Sequence, residues 1–271
     1  MRLHALASGS RGNAFAIEAA DGTLLLDAGL SAREWTRRAD RVGLDLDQLV
    51  GIALTHEHGD HAAGAILLAR RHGVPLVATD GTIRALGDKA DGLPTVPLRG
   101  TSVTELGPFS VSCCRVLHDA ADPAALVVEA DGRRVGLAYD FGRPTVGLRY
   151  LLRNCDALVV EANYDEVMLR TSGYPPSVQH RIAGSGGHLS NSGAARLLAD
   201  LLHADLDVVV LAHLSQQCNA PDVARSTVEP YLRERGFRGT LAVAVQDEPI
   251  TPLAVRRSDR GGRSQVELEL L

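Results

Sequence analysis

Long apolar runs are missing from this chain. No stretch reaches the roughly 18 residues that a membrane-spanning helix needs. The opening Met1-Arg2-Leu3-His4-Ala5-Leu6-Ala7-Ser8-Gly9 also lacks the apolar length of a secretory signal. Cysteine is scarce: Cys113, Cys114, Cys155 and Cys218 show neither a C-x-x-C spacing nor a disulfide framework. That sets aside thiolate zinc sites and points to a reducing cytoplasm. No internal repeat, long linker or low-complexity domain interrupts the chain. The net charge of −5 excludes a general polycation, although a local basic patch is enough to steer a nucleic acid.

What is present is an ordinary globular composition, 45% hydrophobic and 23% charged over 271 residues. That length holds one large α/β domain with a substantial core, or two small ones. Strand patterns occupy 2–7, 14–19 and 23–27, with turn-rich Ser8–Asn13 between the first two. Ser31-Ala32-Arg33-Glu34 has capping-box spacing and opens a helix to about Arg41, with Trp35 facing inward. A helix is expected over Ala62–His72, stopped by Gly73 and Pro75, then a strand at 74–78 and a helix near 80–88. Further strands are expected at 109–118, 124–130, 133–139, 156–161, 206–211 and 240–245. Helices are expected at 145–153, from Ser190 as N-cap to Leu202, and at 221–235. The stretch Tyr174–Arg181 carries two prolines and then His180-Arg181, near the glycine-rich 184–187, which reads as a flexible loop. The expected organisation is a single domain over 1–255, followed by a basic, loosely ordered tail over 256–271.

Three of the ten histidines and one aspartate fall within six residues, at His56-Glu57-His58-Gly59-Asp60-His61, directly after the apolar Gly51–Leu54. Imidazole and carboxylate are the ligand types that borderline divalent metals prefer. If the strand runs on through His58, its period of two puts His56 and His58 on one side. Asp60 and His61, at the start of a helix, then address a second position. Such a cluster could sit idle in a solvated loop, but its density argues for metal.

The motif His-x-His-x-Asp-His after an apolar strand resembles the metal motif of metallo-β-lactamase-fold hydrolases. The remaining marks of that fold follow in order: Leu24-Leu25-Leu26-Asp27-Ala28-Gly29, then His118, Asp140 and His213. More narrowly, Ala7–Asn13, Gly187-His188-Leu189-Ser190-Asn191 and Ala212–Ser215 resemble the YycJ/WalJ-type subfamily. The resemblance implies an α/β fold, a four-layer αββα sandwich of the metallo-β-lactamase type. It implies that His56, His58 and His118 hold one metal, that Asp60, His61 and His213 hold another, and that Asp140 stands between. Zn²⁺ and Mn²⁺ both suit this donor set. Asp27 would support the metal loop from behind rather than ligate.

The subfamily resemblance further implies nuclease activity, including 5′-to-3′ exonuclease action on DNA. The nucleophile would be hydroxide held by two cations about 3.5–4 Å apart. Ser8, Ser10 and Ser190 have no triad partner in the sequence, which disfavours serine catalysis. Asp60 and His188 are the expected catalytic residues. His188 would bind the scissile phosphate or protonate the leaving oxygen, the alternative being a plain hydrogen bond at a helix start. Ser8, Asn13 and Asn163 are expected near metals or substrate, with Asn219 a further site-edge candidate. Tyr164 stands where the subfamily commonly has histidine, so no metal or phosphate role is carried over to it. Arg143, Arg149, Arg153, Arg170 and Arg181 could line a phosphate track or serve solubility alone. The alternative function is a glyoxalase II-like thioesterase or lactonase, since the same metals polarise a carbonyl.

Overall fold

Leu24-Leu25-Leu26 is apolar throughout because both faces of its strand are covered. Leu24 and Leu26 pack between two sheets, and Leu25 packs under helices on the outside. The same alternation recurs at Leu126-Val127-Val128, where only Val127 faces outward to helices. A computed structural model of the chain describes residues 1–100 and 102–256.

The first sheet contains β1 (Arg2–Ala7), β2 (Ala14–Ala19), β3 (Gly22–Ala28), β4 (Leu49–Ala53), β5 (Leu76–Thr79) and β6 (Thr95–Leu98) in that order. The second contains β7 (Thr104–Leu106), β8 (Phe109–Arg115), β9 (Ala124–Ala130), β10 (Arg133–Ala138), β11 (Ala157–Glu161), β12 (Val208–Ala212) and β13 (Thr240–Val243). A short β14 (Leu253–Ala254) closes the first sheet beside β1. Each sheet is antiparallel over four strands, β14-β1-β2-β3 in one and β7-β8-β9-β10 in the other, and parallel beyond them: β3 to β6 in one, β10 to β13 in the other.

Helices α1 (Ala32–Arg41), α2 (Gly59–Ala62), α3 (Ala65–His72) and α4 (Asp80–Leu86) belong to the first half. Trp35 of α1 and Leu68 of α3, both fully buried, cover the first sheet. The second half carries α5 (Val146–Leu152), α6 (Glu166–Arg170), α7 (Pro176–Ala183), α8 (Asn191–Asp200) and α9 (Pro221–Glu234). Leu148, Leu152, Leu198 and Val228 cover the second sheet from that side. The layers therefore run helix, sheet, sheet, helix, as expected from the sequence. Burying each of these large side chains stabilises by roughly 1.5–3 kcal/mol, so the three apolar layers hold the two sheets in register.

Several expectations are corrected. Strand β4 ends at Ala53, so the backbone pleat does not carry His56 and His58; they lie in the following loop, with His58 as N-cap of α2. The helix expected over Ala62–His72 is two helices broken around Gly64. Gly64 N donates to Ala28 O at 2.8 Å, and a Cβ there would lie 2.2 Å from Leu30 O. The chain must cross the end of β3 at this point, and only glycine permits that approach. Most of Tyr174–Arg181, a stretch with no element expected, is helical: Pro175 is the N-cap and Pro176 the first residue of α7, where a missing N–H costs nothing. Of the expected basic tail only Arg256 is described, its N–H donating to Asp207; residues 257–271 lie outside the described residues.

Three strand-end residues adopt a left-handed backbone unusual for non-glycine: Asp27 at φ 57°, Asp140 at φ 58° and His213 at φ 55°. Each such turn costs about 1–3 kcal/mol. All three sit just where β3, β10 and β12 end, and all three turn toward one edge of the sandwich.

Candidate metal centre

Loops after β4, β8, β10 and β12 bring the seven expected ligands together. His56, His58 and His118 each offer a nitrogen within 4.8 Å of the others, and so do the donor atoms of Asp60, His61 and His213. A third such group joins His56, His61 and Asp140. Asp140 stands between: its Oδ2 is 2.9 Å from His61 Nε2 and 3.9 Å from His56 Nε2, and its Oδ1 is 3.9 Å from His118 Nε2. His213 Nε2 lies 3.5 Å from Asp60 Oδ2.

The ring orientations are set from behind. Asp27, fully buried, accepts from Thr55 N at 2.8 Å, Thr55 Oγ1 at 2.7 Å, His61 Nδ1 at 2.6 Å and Tyr139 OH at 2.5 Å. Thr55 Oγ1, its own proton on Asp27, accepts from His56 Nδ1 at 3.0 Å. His118 Nδ1 donates to Gly186 O at 3.2 Å. Each of these bonds occupies Nδ1 and leaves Nε2 with its lone pair toward the cluster, the arrangement a metal-ligating histidine needs.

A second buried carboxylate, Glu161 at the end of β11, plays the same part on the other side. Its Oε1 accepts from His188 Nδ1 at 2.8 Å and His213 Nδ1 at 2.9 Å, and its Oε2 from Leu189 N at 3.0 Å and Phe141 N at 3.3 Å. Sequence reading passed over Glu161 and Tyr139. The signal for Glu161 was an acid closing an otherwise apolar strand, Ala157-Leu158-Val159-Val160-Glu161, where burial makes a partner obligatory.

These contacts redistribute protons in the metal-free chain. Burial, with the positive charge of His61 adding to it, pushes His56 down to about 2. Burial also opposes protonation of His61, but the Asp27 and Asp140 carboxylates outweigh it and hold its pKa well above the ordinary value. Burial is likewise overcome at His188, pushed up to about 10 chiefly by Glu161, and at His213, pushed up to about 9 chiefly by Asp140. The facing imidazoles in turn outweigh burial at Asp60 and Asp140 and hold both carboxyls below the usual carboxylate range.

Within the cluster, three deeply buried polar atoms have no hydrogen-bond partner: His56 Nε2, His213 Nε2 and Asp140 Oδ2. Each would cost about 1–3 kcal/mol if left so. With His61 Nδ1 donating to Asp27, its Nε2 faces Asp140 Oδ2 across 2.9 Å, a pairing that needs a positive charge between the two atoms: the proton that the raised pKa keeps there in the metal-free chain, or a cation in its place. The residues present therefore fit divalent metal.

The β-lactamase superfamily domain matches residues 23–214, a span running from β3 past His213. Exodeoxyribonuclease YycJ of Bacillus anthracis is 33% identical over 262 residues, covering 94% of this chain and 99% of that protein. The chain belongs to the β-lactamase superfamily. It is a metallohydrolase of that superfamily, close in sequence to YycJ/WalJ proteins. Exodeoxyribonuclease WalJ of Streptococcus pneumoniae is 31% identical over 82% of this chain and 85% of its own. Among solved structures, the metallo-β-lactamase fold protein YhfI from Bacillus subtilis superposes with a TM-score of 0.68 at 16% identity, covering 92% of this chain and 99% of that one.

In this superfamily member the cluster opens into a cleft of about 200 Å³ lined by Asp60, His118, Asp140, Arg181, His188 and His213, among others. His188 is thus at the rim, with Nδ1 fixed by Glu161. Ser8 and Asn13 lie behind the metal loop. Ser8 Oγ donates to Asn13 Oδ1 at 2.9 Å and accepts from His213 N at 2.7 Å, while Asn13 Nδ2 lies 3.2 Å from His61 Nε2. Gly29 beside them needs its missing side chain, since a Cβ there would meet Asp60 O at 1.7 Å. Asn163 and Asn219 are both buried loop braces: Asn163 Nδ2 donates to His213 O at 2.7 Å, directly behind a histidine of the cluster, and Asn219 bonds Ala162 O and Asn191. The five-arginine track divides: Arg181 lines the cleft, Arg143 and Arg149 line a different cavity, and Arg153 lies over the Tyr150 ring. Arg170 lies in neither cavity's lining. Tyr164 lines that second cavity, not the metal cleft. No helix among the described residues is long and apolar enough to cross a membrane.

Proposed function

We propose that the chain is a dinuclear-metal-dependent phosphodiesterase acting on nucleic acid, specifically a 5′-to-3′ DNA exonuclease. The observation that carries this reading is His188, anchored by Glu161 at the rim of a histidine–aspartate cluster, beside Arg181 in one cleft. Exodeoxyribonuclease relatives matched over almost the whole chain support the same substrate class, and the likeness of the loop motifs supports the polarity.

His56, His58 and His118 would hold one divalent ion and Asp60, His61 and His213 the other, with Asp140 between them and Zn²⁺ or Mn²⁺ suited to the set. When bound, such a pair supplies Lewis acidity and makes water a nucleophile near neutral pH. The protein does the rest. Asp27 and Glu161 fix the imidazole tautomers; Asp60 and Asp140 add negative charge that retains the cations. His188, its Nδ1–H on Glu161, presents Nε2 to the cleft, where it can hydrogen-bond a phosphoryl oxygen or protonate the leaving oxygen. Arg181 offers a guanidinium to phosphate charge. A cytoplasmic setting fits four free thiols, three of them buried.

Protein stripped by chelator should leave 5′-labelled duplex DNA intact, and Mn²⁺ or Zn²⁺ should restore release of the 5′ label ahead of a 3′ label. Full cleavage by the Asp60→Ala/His61→Ala double variant would remove the two-metal reading. Rapid thioester hydrolysis with no DNA cleavage in either metal would replace the nuclease with the carbonyl hydrolase.

A further inference from the structure

Beside the metal cleft is a second, larger cavity of about 590 Å³ that the proposed chemistry does not use. Three guanidiniums line it: Arg143 after β10, Arg149 on α5 and Arg196 on α8. Tyr164 and Ser190 add hydroxyls, and Asp200 is the one carboxylate in the lining. Asp200 Oδ2 is 3.4 Å from Arg149 Nη2, so it offsets only Arg149, whose buried Nη1 still has no hydrogen-bond partner. Arg143 and Arg196 are exposed and make no ion pair among the described residues.

Unpaired arginines around a concavity are an odd choice in a chain of net charge −5, unless an anion enters. Solubility would be served as well by lysine on any face. A fork of guanidinium donors is suited to phosphate oxygens. The cavity is also tied to the metal cleft at two points of the chain. Asp140 lines one and Gly142–Arg143 the other; His188 lines one and Leu189–Ser190 the other.

We infer that this cavity is a second phosphate subsite, which takes a non-scissile backbone phosphate of the polynucleotide strand whose scissile phosphate lies at the metal cluster. The inference rests on the nucleic-acid reading and extends it. The subsite holds the strand in register without touching the reacting atoms, so it governs affinity and salt dependence rather than the chemical step.

The test uses the full chain carrying Arg143→Gln and Arg196→Gln, both exposed positions that leave the apolar layers untouched. Binding of a fluorescein-labelled single-stranded oligothymidylate to metal-stripped protein is followed by anisotropy across a salt series. The double variant should bind roughly tenfold more weakly, as expected for two charge-assisted contacts at exposed positions. The slope of log affinity against log salt should become shallower by about 1.4, at about 0.7 per lost contact on a single strand. Arg143→Lys/Arg196→Lys should recover the slope but only part of the affinity. Metal-loaded hydrolysis of bis(p-nitrophenyl) phosphate, too small to reach both cavities, should be unchanged. An unaltered affinity and slope would overturn the subsite, as would a parallel loss of the small-ester activity. Wild-type protein that hydrolyses the small ester yet neither binds nor cleaves the oligonucleotide would instead sink the nucleic-acid reading, and the subsite with it.

Discussion

Asp27 and Glu161 occupy matching places in the two halves. Asp27 stands one residue before the end of β3 and Glu161 ends β11; each is fully buried, and each accepts four hydrogen bonds. They differ in what they grip. Asp27 holds one compact loop, Thr55 and His61, together with Tyr139 from the facing sheet. Glu161 holds two histidines from separate loops, 27 and 52 residues further along the chain. The first half delivers its ligands as a local motif that one carboxylate tightens. The second half delivers them singly, and one carboxylate must bring them into mutual register.

The largest expected effect breaks the comparison directly. Asp27→Asn and Glu161→Gln should each weaken metal affinity by roughly 10–100-fold, the usual consequence of losing an outer partner of a ligating histidine. Glu161→Gln should additionally lower kcat of the metal-saturated enzyme, because it releases His188, whereas Asp27→Asn should leave that kcat within about threefold. Equal kcat losses in titrations of metal against activity would show that the two carboxylates do the same work.

A pH series sharpens the comparison. In the metal-free chain His188 is pushed up to about 10 and His213 to about 9 from an ordinary 6.5, and His61 is raised as well. Groups raised on folding contribute stability fully below pH 6.5 and lose it as pH climbs through those values. The Tm of metal-free protein should therefore fall between pH 6.5 and about 10, while metal affinity rises over the same range as imidazolium protons leave. Glu161→Gln should flatten most of the part due to His188 and a smaller share of that due to His213, which Asp140 chiefly holds; Asp27→Asn should flatten the part due to His61. A Tm independent of pH across that range would refute both attributions.

The smallest effect concerns the seam between halves. Ser8→Ala would leave His213 N buried without its acceptor, at a cost of about 1–3 kcal/mol. Calorimetry should show a lowered Tm, and cleavage should slow only a few-fold. Loss of all activity in a folded Ser8→Ala protein would give Ser8 a direct catalytic part instead.

Much of this was legible before any coordinates. Alternating apolar patterns marked most strands, Ser31 and Ser190 cap helices as their spacing indicates, and Asp27 was recognisable from its place in Leu24–Gly29. Failures came where packing overrode local pattern. Ala62–His72 reads as one helix because nothing in its periodicity reports that Ala28 and Leu30 carbonyls lie under Gly64. Pro175-Pro176 gives no sign of a helix unless their place at a helix start is known. Glu161 was hidden because a single acid at a strand end carries no spacing signal.

By itself, the sequence determined the layered α/β architecture and marked the candidate metal loop, because apolar period and the spacing His56–His61 are properties of neighbouring residues. Only the tertiary structure decided that Glu161 serves both His188 and His213, and that Arg181 lines one cavity while Arg143 and Arg149 line another. Those relations join residues far apart in the chain, and burial in three dimensions, not local preference, forces a charged group to find its partner there.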